Sequence, residues 1–173
     1  MDLYLKTEAN LDLHITTYNI LPISNEYGYI EFVPNSTTLY DIREVSQFSI
    51  QNFILEKNPN MNINDFRDRY SKSCAAYCVI TYLLGIGDRH LDNIMITDQG
   101  CIFHIDFGYI LGNDPKPISP EIRITPEMID AMGGHKSYYY KMFEEYCGKA
   151  YNCLRRHAPI FYILLLNLIN ISD

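Results

Sequence analysis

Within one short run, Asp88-Arg89-His90-Leu91-Asp92-Asn93, the chain gathers two carboxylates, a guanidinium, an imidazole and a carboxamide; a second run, Asp106-Phe107-Gly108, adds another carboxylate. Asn93 and Asp106 offer oxygen donors of the kind Mg²⁺ accepts, an ion that keeps several waters and is held by few protein groups. His90 lies three residues before Asn93, near enough to face the same cleft. A neutral imidazole is a suitable proton acceptor near neutral pH. Asp88 is placed to orient that imidazole or a substrate hydroxyl, and Arg89 to pair with a nearby carboxylate and hold the loop. Metal ligands for phosphates, with a group that takes the proton from an attacking hydroxyl, are what phosphoryl transfer requires.

Taken singly, each residue has an ordinary alternative. A lone histidine is more often a hydrogen-bonded structural group, and Asp-Phe-Gly alone is a common turn. The functional reading rests on the joint pattern: Gly85-x-Gly87-Asp88-Arg89-His90-Leu91-Asp92-Asn93, a hairpin, then His104-Ile105-Asp106-Phe107-Gly108. A competing metal cluster would use His90, His104 and cysteines. His104 shares a strand face with Asp106, yet the nearest thiols lack zinc-ligand spacing. Its expected role is a hydrogen bond to the backbone of the catalytic loop.

The elements that must position these residues are legible in outline. A hairpin, Ile94 to Thr97 and Cys101 to Ile105 about a turn at Asp98-Gln99-Gly100, joins the two runs. Before it, a helix is predicted from Asn64 to Leu84, with Asn64 as N-cap, Asp65 and Asp68 in the first turn, and Gly85 as terminator. Its buried face is Cys74, Tyr77, Cys78, Thr81 and Leu84. Further upstream the patterns predict a helix over residues 2–9 and strands over His14–Leu21 and Tyr29–Val33. Turn residues Pro22, Ser24, Asn25 and Gly28 separate those strands. A hinge at Pro34-Asn35-Ser36 precedes short helices near Leu39 and over Ser49–Lys57. Helices are expected again over Pro126–Met132, Ser137–His157 and Ile160–Ile171.

A chain of 173 residues is long enough to bury a core as one domain. Its net charge of -7 argues against a general nucleic-acid footprint and against unaided adhesion to anionic membranes. Five cysteines without a Cys-x-x-Cys pair read as free thiols in a reducing compartment. No secretory signal is visible at Met1 to Lys6, so the expected setting is cytosolic. The longest apolar stretch, Ile160 to Ile171, is interrupted by Asn167 and Asn170 and reads as a buried helix, too short to span a bilayer.

At the two runs the chain resembles a known family. Gly85 to Met95 is similar to the catalytic loop shared by phosphatidylinositol 3- and 4-kinases and related large protein kinases, and His104 to Gly108 resembles their metal-binding motif. The order Asp-Arg-His, reversed from that of ordinary protein kinases, is specific to this superfamily. The resemblance implies an α+β, protein-kinase-like fold. Residues 1–33 would form part of the N-terminal lobe sheet and hinge, and residues 34–173 a mostly helical C-terminal lobe. It implies His90 as base with Asp88 assisting and Arg89 in the same loop. Asn93 and Asp106 would hold Mg²⁺, with Mn²⁺ as an alternative, and ATP would be the donor. Glu31-Phe32-Val33 matches the hinge, so Val33 backbone groups would bind adenine, with Tyr18 and Ile105 lining the pocket. Periodicity alone reads Tyr18 and Val33 equally well as strand core residues.

Tyr109 to Pro117 is similar to class III, vacuolar protein sorting type phosphatidylinositol 3-kinases, and Lys72 to Tyr82 and Ala131 to Gly134 also fit. Class I lipid kinases carry a basic cluster in the loop after Gly108. Here residues 106–126 offer only Lys116 and Arg123, against Asp106, Asp114 and Glu121. That favours plain phosphatidylinositol over a polyphosphorylated headgroup. The resemblance further implies peripheral association with endosomal or other intracellular membranes, a role in autophagy, and a regulatory kinase or scaffold subunit as partner. Nothing before Tyr18 supplies a glycine-containing phosphate loop or a strand lysine, and the family's final membrane helix would lie beyond Asp173. The 173 residues therefore read as a carboxy-terminal part whose missing strand is expected to be needed for turnover. Two other classes stay open: a noncatalytic pseudokinase-like interaction module, and a different phosphotransferase acting on protein or aminoglycoside.

Overall fold

The computed structural model describes residues 1–24, 26–45, 49–118 and 120–171, with side chains as far as residue 166. Asn25, expected in a turn, and Ser119, within the loop of residues 106–126, lie outside the described residues. The chain forms α1 (Asp2–Glu8), β1 (Ile20–Pro22), β2 (Gly28–Ile30), β3 (Ser36–Thr38), α2 (Leu39–Val45), α3 (Ile50–Lys57) and α4 (Ile63–Leu84). It continues through a 3-10 turn (Leu91–Asn93), β4 (Ile94–Thr97), β5 (Ile102–His104), α5 (Pro126–Ala131), α6 (Tyr138–Arg156) and α7 (Ala158–Ile171).

α4 is the central helix. Its cap is Asn62, whose side chain accepts the Asn64 N–H at 2.8 Å, two residues earlier than the predicted cap. Asn62 keeps extended backbone angles, so Ile63 already belongs to the helix. Gly85 ends it in the left-handed conformation at φ 54°, and the Ile86 N–H reaches back to the Thr81 carbonyl. Phe66, Tyr70, Cys74, Tyr77, Cys78 and Thr81 are buried, while Leu84 is only half-buried. This face covers the hairpin on one side and meets α6 through Tyr146 and Cys147 on the other. Fully burying rings such as Phe66 is worth about 1.5–3 kcal/mol apiece. All five cysteines are free thiols.

β3, β4 and β5 form an antiparallel sheet in which β4 pairs Thr38 with Met95 on one side and Ile94 with His104 on the other. β3 replaces part of the predicted hinge: Ser36-Thr37-Thr38 pairs where a break was expected. Alternation along β4 sends Ile94 and Ile96 into the core and turns Met95 the other way. Gly100, in the β4–β5 turn, has φ 84°, and a Cβ there would stand 2.7 Å from the Phe66 ring. Gly100→Ala is therefore expected to destabilise the fold by about 1–3 kcal/mol, measurable by urea denaturation.

Nearer the N-terminus the predicted strand over His14–Leu21 shrinks to Ile20–Pro22, and its predicted first residue, His14, takes positive φ. β2 likewise starts at Gly28 and ends at Ile30, short of Val33. α7 is helical as expected, but among its described side chains Tyr162, Ile163 and Leu164 are each more than half exposed, where a buried helix was predicted. Among the described residues no helix is long and apolar enough to cross a membrane.

Candidate active site

The β4–β5 hairpin places the 3-10 turn at one strand end beside Asp106 at the other. The Ile105 N–H donates to the Asn93 carbonyl at 3.1 Å. Arg89 closes the junction. Its Nε donates to the Gly87 carbonyl at 2.8 Å, Nη1 to the carbonyls of Ile105 at 2.7 Å and Asn93 at 3.4 Å, and Nη2 to the carbonyl of Asp106. The predicted partner was a carboxylate; the observed partners are carbonyls. These are strand-end and loop carbonyls, and a five-donor fork satisfies several at once. The Phe107 ring lies 5.7 Å from the same guanidinium. Burial lowers the Arg89 pKa from its ordinary value, opposed by the charges of Asp106 and Asp88.

Asn93 is buried and its amide orientation follows from its partners. Nδ2 donates to the Asp88 carbonyl at 3.0 Å and lies 3.1 Å from His90 Nε2. With Nδ2 turned to these two partners, Asn93 Oδ1 is left for another ligand. Asp88 Oδ2 stands 3.7 Å from His90 Nε2, and Asp92 Oδ2 stands 3.4 Å from Nδ1. Asp106 is exposed and its Oδ1 accepts the Gly108 N–H at 3.1 Å, which leaves Oδ2 open. Both Asp88 and Asp106 hold positive φ, at 52° and 56°. Non-glycine residues in this region cost about 1–3 kcal/mol and collect at functional sites.

Asn93 Oδ1 and Asp106 Oδ2 fit a hard divalent cation that retains waters and phosphate oxygens. Among the described residues no group of three or more His, Cys, Asp or Glu gathers as a metal cage. The His104 side chain, expected to bond the backbone of the catalytic loop, meets α4 instead. Its Nδ1 lies 3.2 Å from Thr81 Oγ1, and its ring packs 5.0 Å from Tyr77. Burial pushes its pKa down to about 3. The unfolded chain binds this proton near pH 6.5, so the stabilisation is complete above that pH and is lost as pH falls toward 3. From pH 7 to pH 5 this group alone should remove about 2 kcal/mol, read from urea unfolding at both values; His104→Gln should flatten that dependence.

Tyr18, Val33 and Ile105 line one cavity of about 750 Å³, with Ile30, Phe32, Met95, Phe103, Asp106 and Phe107. The Tyr18 hydroxyl donates to the His104 carbonyl at 3.2 Å, and its ring meets Phe103 edge-on. Burial raises the Tyr18 pKa. The Val33 carbonyl accepts from Ser36 Oγ at 2.7 Å, and the Val33 N–H has no acceptor among the described residues. Met95 and Phe103, a cross-strand pair on the cavity floor, were not predicted as site residues. The strand alternation that buries Ile94 and Ile96 was the available signal. Lys116 is exposed, and Arg123 is half-buried with an Nε that has no hydrogen-bond partner among the described residues.

A helical lobe, a small sheet and an apolar cleft that ends at an acidic strand terminus define a kinase-like α+β fold. The profile of the family described as phosphatidylinositol 3- and 4-kinase matches residues 42–170, and the chain belongs to that family. It is 44% identical over 179 residues to phosphatidylinositol 3-kinase pik3 of Schizosaccharomyces pombe, covering 99% of this chain and 22% of that protein. It is 44% identical over 175 residues to phosphatidylinositol 3-kinase VPS34 of Arabidopsis thaliana, covering 99% and 21%. With VPS34 of Saccharomyces cerevisiae the identity is 43% over 178 residues, covering 100% and 20%. The chain thus spans about a fifth of the length of these relatives.

Proposed function

We propose that this chain supplies the catalytic loop and metal-binding strand of a phosphatidylinositol 3-kinase, which moves the γ-phosphoryl group of ATP to the inositol 3-hydroxyl of phosphatidylinositol. The observation that carries the reading is the pinned Asn93 amide, donating to the Asp88 carbonyl and facing His90 Nε2, on a loop strapped by Arg89 to Asp106. The names of the similar proteins supply the lipid and the ring position. Residues 1–33 would belong with the N-terminal lobe and hinge, and residues 34–173 with the C-terminal lobe.

In this reading adenine enters the apolar cleft and bonds the Val33 N–H, between Tyr18 and Ile105. Asn93 Oδ1 and Asp106 Oδ2 would hold Mg²⁺, or Mn²⁺ in its place, and such an ion would supply charge stabilisation for the phosphate oxygens. The 3-hydroxyl oxygen attacks the γ-phosphorus; the new O–P bond forms as the bond to the β–γ bridging oxygen breaks, and ADP leaves. His90 Nε2 takes the hydroxyl proton, exchanging its contact with Asn93 for one with the substrate. Asp88 and Asp92 flank the imidazolium so formed. Arg89 keeps the two loops in register. Lys116 and Arg123 approach the single phosphodiester of the headgroup, and the scarcity of other cations disfavours extra phosphates. Peripheral action on endosomal membranes, participation in autophagy and a regulatory kinase or scaffold partner accompany this assignment.

The protein that carries this chain is tested with labelled ATP on vesicles of phosphatidylinositol, of phosphatidylinositol 4,5-bisphosphate, and on a peptide panel. The expected kcat/KM is highest for plain phosphatidylinositol. Preferential labelling of peptide or of the bisphosphate would overturn the proposal.

A further inference from the structure

We propose that Asp114 is a positioning residue for the transfer reaction, its carboxylate holding Asp88 in the conformation that sets Asn93 and His90. This rests on the function proposed above. The stretch that leaves α4 and the stretch after Gly108 run against each other. The Gly87 N–H donates to the Tyr109 carbonyl at 2.9 Å, the Leu111 N–H to Leu84 at 2.8 Å, and the Gly112 N–H to Gly85 at 2.9 Å. The approach leaves no room for side chains. A Cβ on Gly85 would stand 2.5 Å from the Gly112 nitrogen, and one on Gly87 2.6 Å from both the Asn113 carbonyl oxygen and Asp114 Oδ2. Leu111 and Gly112, at φ 58° and 81°, turn the chain so that Asp114 arrives at the mouth of the catalytic loop.

There Asp114 Oδ2 accepts the Asp88 N–H at 2.8 Å while Oδ1 accepts the Lys116 N–H at 2.8 Å. Asp88 is the first left-handed non-glycine residue of the loop, at φ 52°. Its carbonyl receives both Asn93 Nδ2 and the His90 N–H, each at 3.0 Å. Asp88 is therefore fixed at its N–H by the loop after Gly108 and at its carbonyl by the two groups that do chemistry. Without the carboxylate, relaxation of φ toward negative values would swing that carbonyl and carry the Asn93 amide and His90 away from their places. A charge-assisted bond to a backbone N–H is strong enough to oppose the strain. The arrangement makes the catalytic loop competent only when residues 109–116 are folded against it.

The test combines kinetics with amide hydrogen exchange on the protein that carries this chain. Asp114→Ala is expected to lower kcat by about 10–100-fold, the scale of a small misplacement, with KM for ATP changed less than about threefold. The Asp88 amide should exchange at least about tenfold faster while α4 amides keep their protection. Asp114→Asn, which retains an acceptor oxygen, should recover most of kcat. Unchanged kcat in Asp114→Ala, unchanged Asp88 exchange, or loss of protection throughout α4 would each overturn the proposal. If the unsubstituted protein phosphorylates no lipid, the function proposed above fails, and Asp88 exchange alone then decides whether Asp114 holds the loop.

Discussion

Replacing His90 with alanine is expected to lower kcat for the proposed lipid phosphorylation by about 10²–10⁴-fold while KM for ATP stays within about threefold. The imidazole is the proton acceptor of the proposed reaction, and its Nε2 lies 3.1 Å from Asn93 Nδ2, on the loop that Arg89 ties to Asp106. It does not line the cavity of about 750 Å³ that includes Tyr18, Val33 and Ile105, so nucleotide affinity should be spared. The His90 side chain is 42% exposed, and its removal should barely change the melting temperature. Asp88→Asn should cost less, because Oδ2 stands 3.7 Å away and stabilises the imidazolium without receiving the proton. Steady-state kinetics decides the matter, and a His90→Ala protein with kcat near the unsubstituted value contradicts the assigned role.

A loss of about 10³-fold or more is expected from Asp106→Asn, since in the proposed site its carboxylate would hold the ion that supplies several kcal/mol of charge stabilisation. Asparagine keeps an oxygen to accept the Gly108 N–H, so the turn at Asp106 retains its bond while the charge is removed. The residue is exposed, and its carbonyl rather than its carboxylate is gripped by Arg89. The loss is therefore expected without unfolding, and thermal melting checks that directly. Raising the divalent cation concentration should recover part of the rate, whereas saturating ATP should not. A substituted protein with ordinary cation dependence and ordinary rate would remove Asp106 from the metal site.

Local patterns carried much of this in the sequence, and partners distant along the chain carried the rest. α4 was legible because three-and-four spacing from Cys74 to Thr81 is a property of one segment, as was the tight turn that makes β4 and β5 neighbours. β3 was not, since Ser36-Thr37-Thr38 follows a proline and shows no apolar alternation; its pairing depends on β4, far downstream. The β-branched Thr37 and Thr38 were its faint signal. Arg89 was recognised, but residue type suggested a carboxylate where main-chain geometry offers carbonyls. His104 was placed on the right strand, yet its partner Thr81 is set by how α4 lies across β5. Asp114 entered as a charge and as part of the Tyr109–Pro117 resemblance, without a partner, because its aim depends on the left-handed turn at Leu111 and Gly112. α7 was read as buried from hydropathy alone, which cannot say whether a neighbour is present to cover it.

The most direct test of the account is the position of the label in the lipid product. The protein that carries this chain is supplied with γ-labelled ATP, Mg²⁺ and phosphatidylinositol vesicles, and the deacylated product is resolved by chromatography. A single labelled species, glycerophosphoinositol 3-phosphate, is expected, and it should disappear in His90→Ala. Label at another ring position, label released only as inorganic phosphate, or an undiminished 3-phosphate signal in His90→Ala would contradict it.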